Sequence, residues 1–144
     1  MLRTLIDHIP DRIYAKDLQG RKFISNTADW QASGAKSAED ILGKTDYELY
    51  PNELAERYWE DDKRILLNGD SIINREEPGL DENGNPVWIV TTKVPLRDNQ
   101  GNITGLVGIG RDFTKERNAE HELHRQEQFF SALMMNGPIA IEVL

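Results

Sequence analysis

The 144-residue chain contains no cysteine, which excludes disulfides, thiolate catalysis and cysteine metal clusters. Histidine is scarce too, with only His8, His121 and His124. The last two stand three apart rather than in a His-Glu-x-x-His arrangement, with no third ligand tied to them, so a metal site is not expected. Basic side chains are outnumbered 17 to 25, for a net charge of −8. Such a chain should repel nucleic acid and anionic membrane. No apolar run approaches the ~20 residues of a membrane span. Asp7, Pro10 and Asp11 interrupt the opening apolar residues, so no signal peptide is recognised. These absences predict a cytoplasmic protein without direct membrane contact. The Asn102-Ile103-Thr104 glycosylation pattern is then a turn and strand start. No activated nucleophile, metal cluster or phosphate loop is legible, and the length suits one domain with a short extension. The chain is not expected to be an enzyme.

What is present alternates between strand and helix signals. Leu2, Leu5, Ile6 and Ile9 have helical spacing and predict a short amphipathic lead helix ended by Pro10. Residues 12–15 and 21–25 predict two strands around Asp17-x-x-Gly20. Asp-x-x-Gly recurs at Asp81 to Gly84 and Asp98 to Gly101, and three such turns argue for antiparallel hairpins. Ser37-Ala38-Glu39-Asp40 has the form of a capping box, Gly43 suits a left-handed stop, and Thr45 to Glu48 offers a second cap. Pro51 suits the first turn of a longer helix carrying Leu54, Ala55, Tyr58, Trp59, Ile65 and Leu66, closed by Gly69. Residues 87–114 predict two long strands rich in Val, Ile and Thr that run into a charged helix. The order is two strands, helices, then three strands: an α+β protein with helices against one side of an antiparallel five-stranded sheet.

The closing hairpin, ending in Asp112-Phe113-Thr114, resembles that of PAS domains. So do Ile9-Pro10-Asp11, Asp17-x-x-Gly20, Asn26, Ile41-Leu42-Gly43-Lys44-Thr45, Asp62 and Asn68-Gly69, taken in their order and spacing. The resemblance covers roughly residues 1–116 and implies a sensory module, with Asn26 capping the first short helix and Asp112, Phe113 and Thr114 passing the signal to the helix that follows. It also implies a ligand pocket between sheet and helices, with Ile89, Thr91, Gly108 and Gly110 inward and Tyr58 and Trp59 on the helical side. Alternation fixes the mutual parity of these strand residues but not the face they share. The glycines are also read as a bulge or tight packing against Trp88, and Asp62 as a carboxylate capping nearby backbone. Covalent flavin photochemistry, which needs cysteine in light-sensing relatives, is excluded. Haem is disfavoured because residues 51–68 hold no histidine, which leaves non-covalent flavin or a small metabolite. The competing class is a ligand-free dimerisation or interaction module.

Placing residue n beside n+128 matches Leu5, Pro10 and Ile13 with Leu133, Pro138 and Ile141. Residues 129–144 therefore resemble the opening of a second PAS domain, residues 117–128 a linker helix, and the whole a piece of a longer signalling protein. A histidine kinase or diguanylate cyclase effector is expected beyond it. Ala119, Leu123, Gln126, Phe130 and Leu133 follow the spacing of a coiled-coil seam, which predicts a homodimer. His121-Glu122-Leu123 resembles a kinase phosphoacceptor box but lacks the Thr-Pro that follows it, so a solvated helix face is expected.

Overall fold

The computed structural model describes residues 1–136. Eleven elements follow the expected order. They are α1 (Leu2–Asp7), β1 (Arg12–Asp17), β2 (Lys22–Ser25), α2 (Thr27–Ala32), a 3-10 turn (Ala38–Asp40), α3 (Asp46–Leu49), α4 (Asn52–Asn68), β3 (Ile72–Leu80), β4 (Pro86–Arg97), β5 (Ile103–Asp112) and α5 (Thr114–Met135). The five strands form one antiparallel sheet in the order β2-β1-β5-β4-β3, so the first and last strands in sequence are neighbours at its centre.

The three Asp-x-x-Gly turns share one device. Oδ1 of Asp17, Asp81 and Asp98 accepts the backbone N–H two and four residues on, from Gln19 and Arg21, Asn83 and Asn85, and Gln100 and Asn102. Gly20, Gly84 and Gly101 take φ of +79°, +77° and +86°, which a side chain disfavours. Asn26 caps α2 through Asp29 N–H, as expected. The same Oδ1 accepts Ile13 N–H at 2.8 Å, and Nδ2 donates to Ile6 and Asp11 carbonyls, so one buried amide ties α1, β1 and α2 together. Thr45 and Glu48 form the expected capping box on α3. Ser37 does not: it precedes a 3-10 turn with no side-chain cap bond, and Asp40 instead accepts Lys36 N–H.

Helices cover one face of the sheet. Ile65 and Leu66 of α4 meet Leu106 of β5, with Tyr14, Trp59, Ile72 and Ile103 around them. Leu2 and Leu5 of the lead helix are exposed, as is Ile9, which the spacing put on that helix but which lies beyond its end at Asp7. Residues 1–112 form one compact unit and the segment from Phe113 another. In the second unit, α5 continues without a break from the linker positions through Met135, and none of its residues is buried. Pro138 and Ile141 of the internal alignment lie outside the described residues.

Candidate functional site

Alternation along β4 turns Val87, Ile89, Thr91 and Lys93 to the buried face. On β5 the same face carries Leu106, Gly108 and Gly110. The two lysines of the first hairpin join them, so Lys16, Lys22 and Lys93 are only 2–3% exposed. Charge in such a place requires partners, and the helices supply them. Lys16 Nζ donates to Asp46 of α3 at 2.5 Å and Asp62 of α4 at 2.7 Å. Lys93 donates to the other oxygen of Asp62 at 3.0 Å. Lys22 donates to Asp29 of α2 at 2.9 Å, an oxygen that also accepts Ser25 Oγ–H at 2.7 Å. The Tyr14 ring lies among the three ammoniums, whose nitrogens are 4.7 to 6.0 Å from its centroid.

The three lysines, Asp29 and Asp46 border a cavity of about 40 Å3, whose walls also include Arg12, Tyr14, Tyr50, Tyr58, Glu77, Ile89, Thr91 and Gly110. That is room for about three water-sized groups. Glu77 lines both this cavity and an outer groove between β3 and α4. One of its oxygens accepts Thr91 Oγ1–H at 2.7 Å, and the other accepts Arg75 Nη2–H at 2.7 Å. The Arg75 guanidinium also reaches Asp61 on α4, so a single side chain fastens β3 to the helix over the outer groove.

Burial opposes the charge on Lys16, but Asp62 and Asp46 overcome it and hold its pKa above the ordinary lysine value. Lys22 is raised in the same way, burial being outweighed by Asp29, and Lys93 by Asp62 and Asp46. Burial also pulls Asp62 upward, yet Lys16 and Lys93 bring it below the usual carboxylate value. Burial pushes the Tyr14 and Tyr58 phenols up. At neutral pH Lys16, Lys22 and Lys93 are therefore ammoniums, Asp62 a carboxylate, and Tyr14 and Tyr58 un-ionised phenols. A protonated amine has no lone pair with which to attack a carbonyl; the chemistry offered is binding.

Of the residues singled out in the sequence, Tyr58, Ile89, Thr91 and Gly110 line this cavity. Trp59 sits against the Ile65 cluster, where its ring also meets Gly20. Gly108 makes space for Tyr14: a Cβ there would stand 2.3 Å from the ring. The glycines do not pack on Trp88, because alternation puts Trp88 on the opposite face from Ile89. Asp62 is not a backbone cap; it is the shared partner of two lysines. The sequence reading missed Lys16, Lys22, Lys93, Asp29, Asp46, Tyr14 and Tyr50. A lysine at the inward parity of an apolar strand, as in Val87-x-Ile89-x-Thr91-x-Lys93, was the available signal. Asp112 ends β5, Phe113 is buried and Thr114 opens α5. Ala119, Leu123, Gln126 and Phe130 are exposed along α5. Among the described residues no cluster suits a metal ion, and no helix is long and apolar enough to cross a membrane.

Residues 6–118 match the family model described as PAS fold. The chain belongs to the PAS family. It is 32% identical over 130 residues to the methanogenesis regulatory histidine kinase FilI of Methanothrix harundinacea, a match covering 90% of this chain and 14% of FilI. Among solved structures, the PAS domain of Bordetella pertussis BvgS is similar at a TM-score of 0.65 and 26% identity, over 88% of this chain and 94% of that one. A structure of VqmA bound to DPO matches at a TM-score of 0.68 and 29% identity, over 76% of this chain and 55% of that one. The PAS chain thus spans about a seventh of the curated kinase relative, and its relatives include PAS domains of sensor proteins.

Proposed function

We propose that this PAS unit is a non-enzymatic sensory module of a larger signalling protein, responding to a small molecule and acting through α5. The observation that carries the reading is the cavity between sheet and helices, bordered by three buried lysines. A fold needing only a filled core has no use for three buried ammoniums, since apolar residues of similar volume stabilise as well or better. VqmA, a similar structure, holds DPO, and FilI is a histidine kinase. In this reading Tyr58, Ile89, Thr91 and Gly110 contact the ligand, while Trp59 and Gly108 shape the wall behind it. Asp112, Phe113 and Thr114 couple β5 to the helix. The effector is a kinase or cyclase domain, and the protein is a cytoplasmic homodimer joined along Ala119, Leu123, Gln126 and Phe130. Residues 1–116, 117–128 and 129–144 are sensor, linker and the opening of a second PAS unit, the last resting on the internal alignment alone.

One observation favours a ligand-free dimerisation module: among the described residues every buried side-chain nitrogen and oxygen has a hydrogen-bond partner. Mass spectrometry of the natively purified protein decides between the two. A stoichiometric small molecule released on denaturation supports the sensor. Protein that is empty, and that no compound of a metabolite panel stabilises, belongs to the second class.

A further inference from the structure

Charge of both signs faces the cavity, and so does unused hydrogen-bonding capacity of both kinds. Arg12 and the three lysines line it together with Asp29, Asp46 and Glu77, and Asp62 is bonded to two of those lysines. An anion placed there meets three acidic side chains and a cation meets four basic ones; an uncharged ligand avoids both. Each ammonium carries three N–H groups. Lys22 places one on Asp29, and Lys93 places one on Asp62. Among the acceptors, both oxygens of Asp62 and both of Glu77 are engaged. Asp29 and Asp46 differ, because the bonds from Lys22, Ser25 and Lys16 all fall on their Oδ2 atoms. Among the described residues every fully enclosed side-chain oxygen has a partner, so Oδ1 of each aspartate touches open space, and the space that both line is the cavity. Both residues are more than nine-tenths buried, at 2% and 6% exposure. These two acceptors share a volume of about 40 Å3 with the N–H groups of Lys22 and Lys93, which limits the occupant to a few heavy atoms. Ile89 and the rings of Tyr14, Tyr50 and Tyr58 give the rest of the wall apolar and aromatic surface.

We propose that the cavity binds a small uncharged primary amide, its N–H groups donating to Oδ1 of Asp29 and Asp46, its carbonyl oxygen accepting from Lys22 and Lys93, and its short tail against Ile89 and the tyrosine rings. This rests on the ligand-sensing reading above and adds the chemical class. A primary amide carries two N–H donors and a carbonyl oxygen with two lone pairs, one for each of the four groups just named. A ketone has no N–H for the aspartates, and an alcohol has a single O–H. Water has the donors and acceptors but no tail for Ile89.

The test is a titration of the isotopically labelled protein, followed by backbone NMR, with four probes of one planar shape: acetamide, acetate, acetamidinium and acetone. They differ in charge and in donors and acceptors while their size stays the same. Saturable shifts at Ile89, Thr91 and Gly110 are expected with acetamide, at least tenfold tighter than with any of the other three. Asp29→Leu should weaken acetamide at least tenfold. If that variant unfolds because Lys22 loses its partner, Lys22→Met with Asp29→Leu removes the pair together and should lose binding in the same way; a folded double variant that keeps the affinity refutes the assignment. Equal or tighter binding of acetate, acetamidinium or acetone overturns the amide class while leaving a ligand sensor standing. Silence of these backbone signals toward all four probes, as for a cavity that holds water only, overturns the assignment, and an empty natively purified protein then removes the sensor reading separately.

Discussion

Asp62 holds two ammoniums at once, and its neighbours leave it no solvent to fall back on. Asp62→Ala leaves Lys16 bonded to Asp46 alone and takes from Lys93 its hydrogen-bonded carboxylate. A broken buried pair costs about 3–5 kcal/mol, so urea unfolding at pH 7 should show a loss of that size. Because the folded pKa of Asp62 lies below its ordinary value, its stabilisation is full above about pH 4, the unfolded carboxylate value. It disappears as pH falls through the lower folded value. The stability gap between wild type and Asp62→Asn should therefore be constant from pH 7 to about pH 5 and close toward pH 2; a gap that stays constant to the acid end would contradict the pairing. The three lysines act at the other end of the scale. Their pKa values are raised on folding, so their contribution is full below about pH 10, the unfolded lysine value, and is lost as pH rises through the higher folded values.

At the scale of elements, β5 is built to let β1 place an aromatic ring on the buried face. Gly108 lies opposite Tyr14 in the β1–β5 ladder, and its missing Cβ is the space the ring occupies. Gly108→Ala should displace Tyr14 from beneath the lysines and destabilise by about 1–3 kcal/mol, as overpacking does. Thermal denaturation and the tyrosine signal in near-UV circular dichroism would register it, and an unchanged spectrum would refute the account. The elements themselves were legible because local rules wrote them. Asp17, Asp81 and Asp98 each carry the acceptor and the glycine their turn needs, Asn26 has the side chain of a cap, and alternation in residues 87–93 fixed which side chains go together. The cavity was less legible because its partners are distant: Lys16 meets Asp46 and Asp62, and Lys93 meets Asp62. No spacing along the chain joins residues 30 or 46 positions apart. Ser37 misled for the opposite reason, since the cap pattern was present but the chain there closes as a 3-10 turn.

At the scale of the molecule, α5 presents Leu123 at 57% and Phe130 at 59% exposure, apolar surface that a second copy would cover. Leu123→Asp with Phe130→Asp should convert a dimer to a monomer in sedimentation, with the circular dichroism of the sensor unit unchanged; a dimer that persists places the contact elsewhere. If the chain is part of a larger signalling protein, as proposed, Asp112→Ala there should leave the domain folded and uncouple input from output, whereas a double change at Asp112 and Thr114 that keeps a normal response would rule out transmission there. The three inward lysines also make the chain its own footprinting reagent. Amine acylation needs an accessible, unprotonated nitrogen, and Lys16, Lys22 and Lys93 fail on both counts, being buried and held protonated. Lys36, Lys44 and Lys115 are open to solvent and Lys63 is half open. Brief treatment with an acylating ester should mark those four and spare the three. The first mark to appear on Lys93 then times the parting of β4 from α4, in a native protein carrying no introduced label.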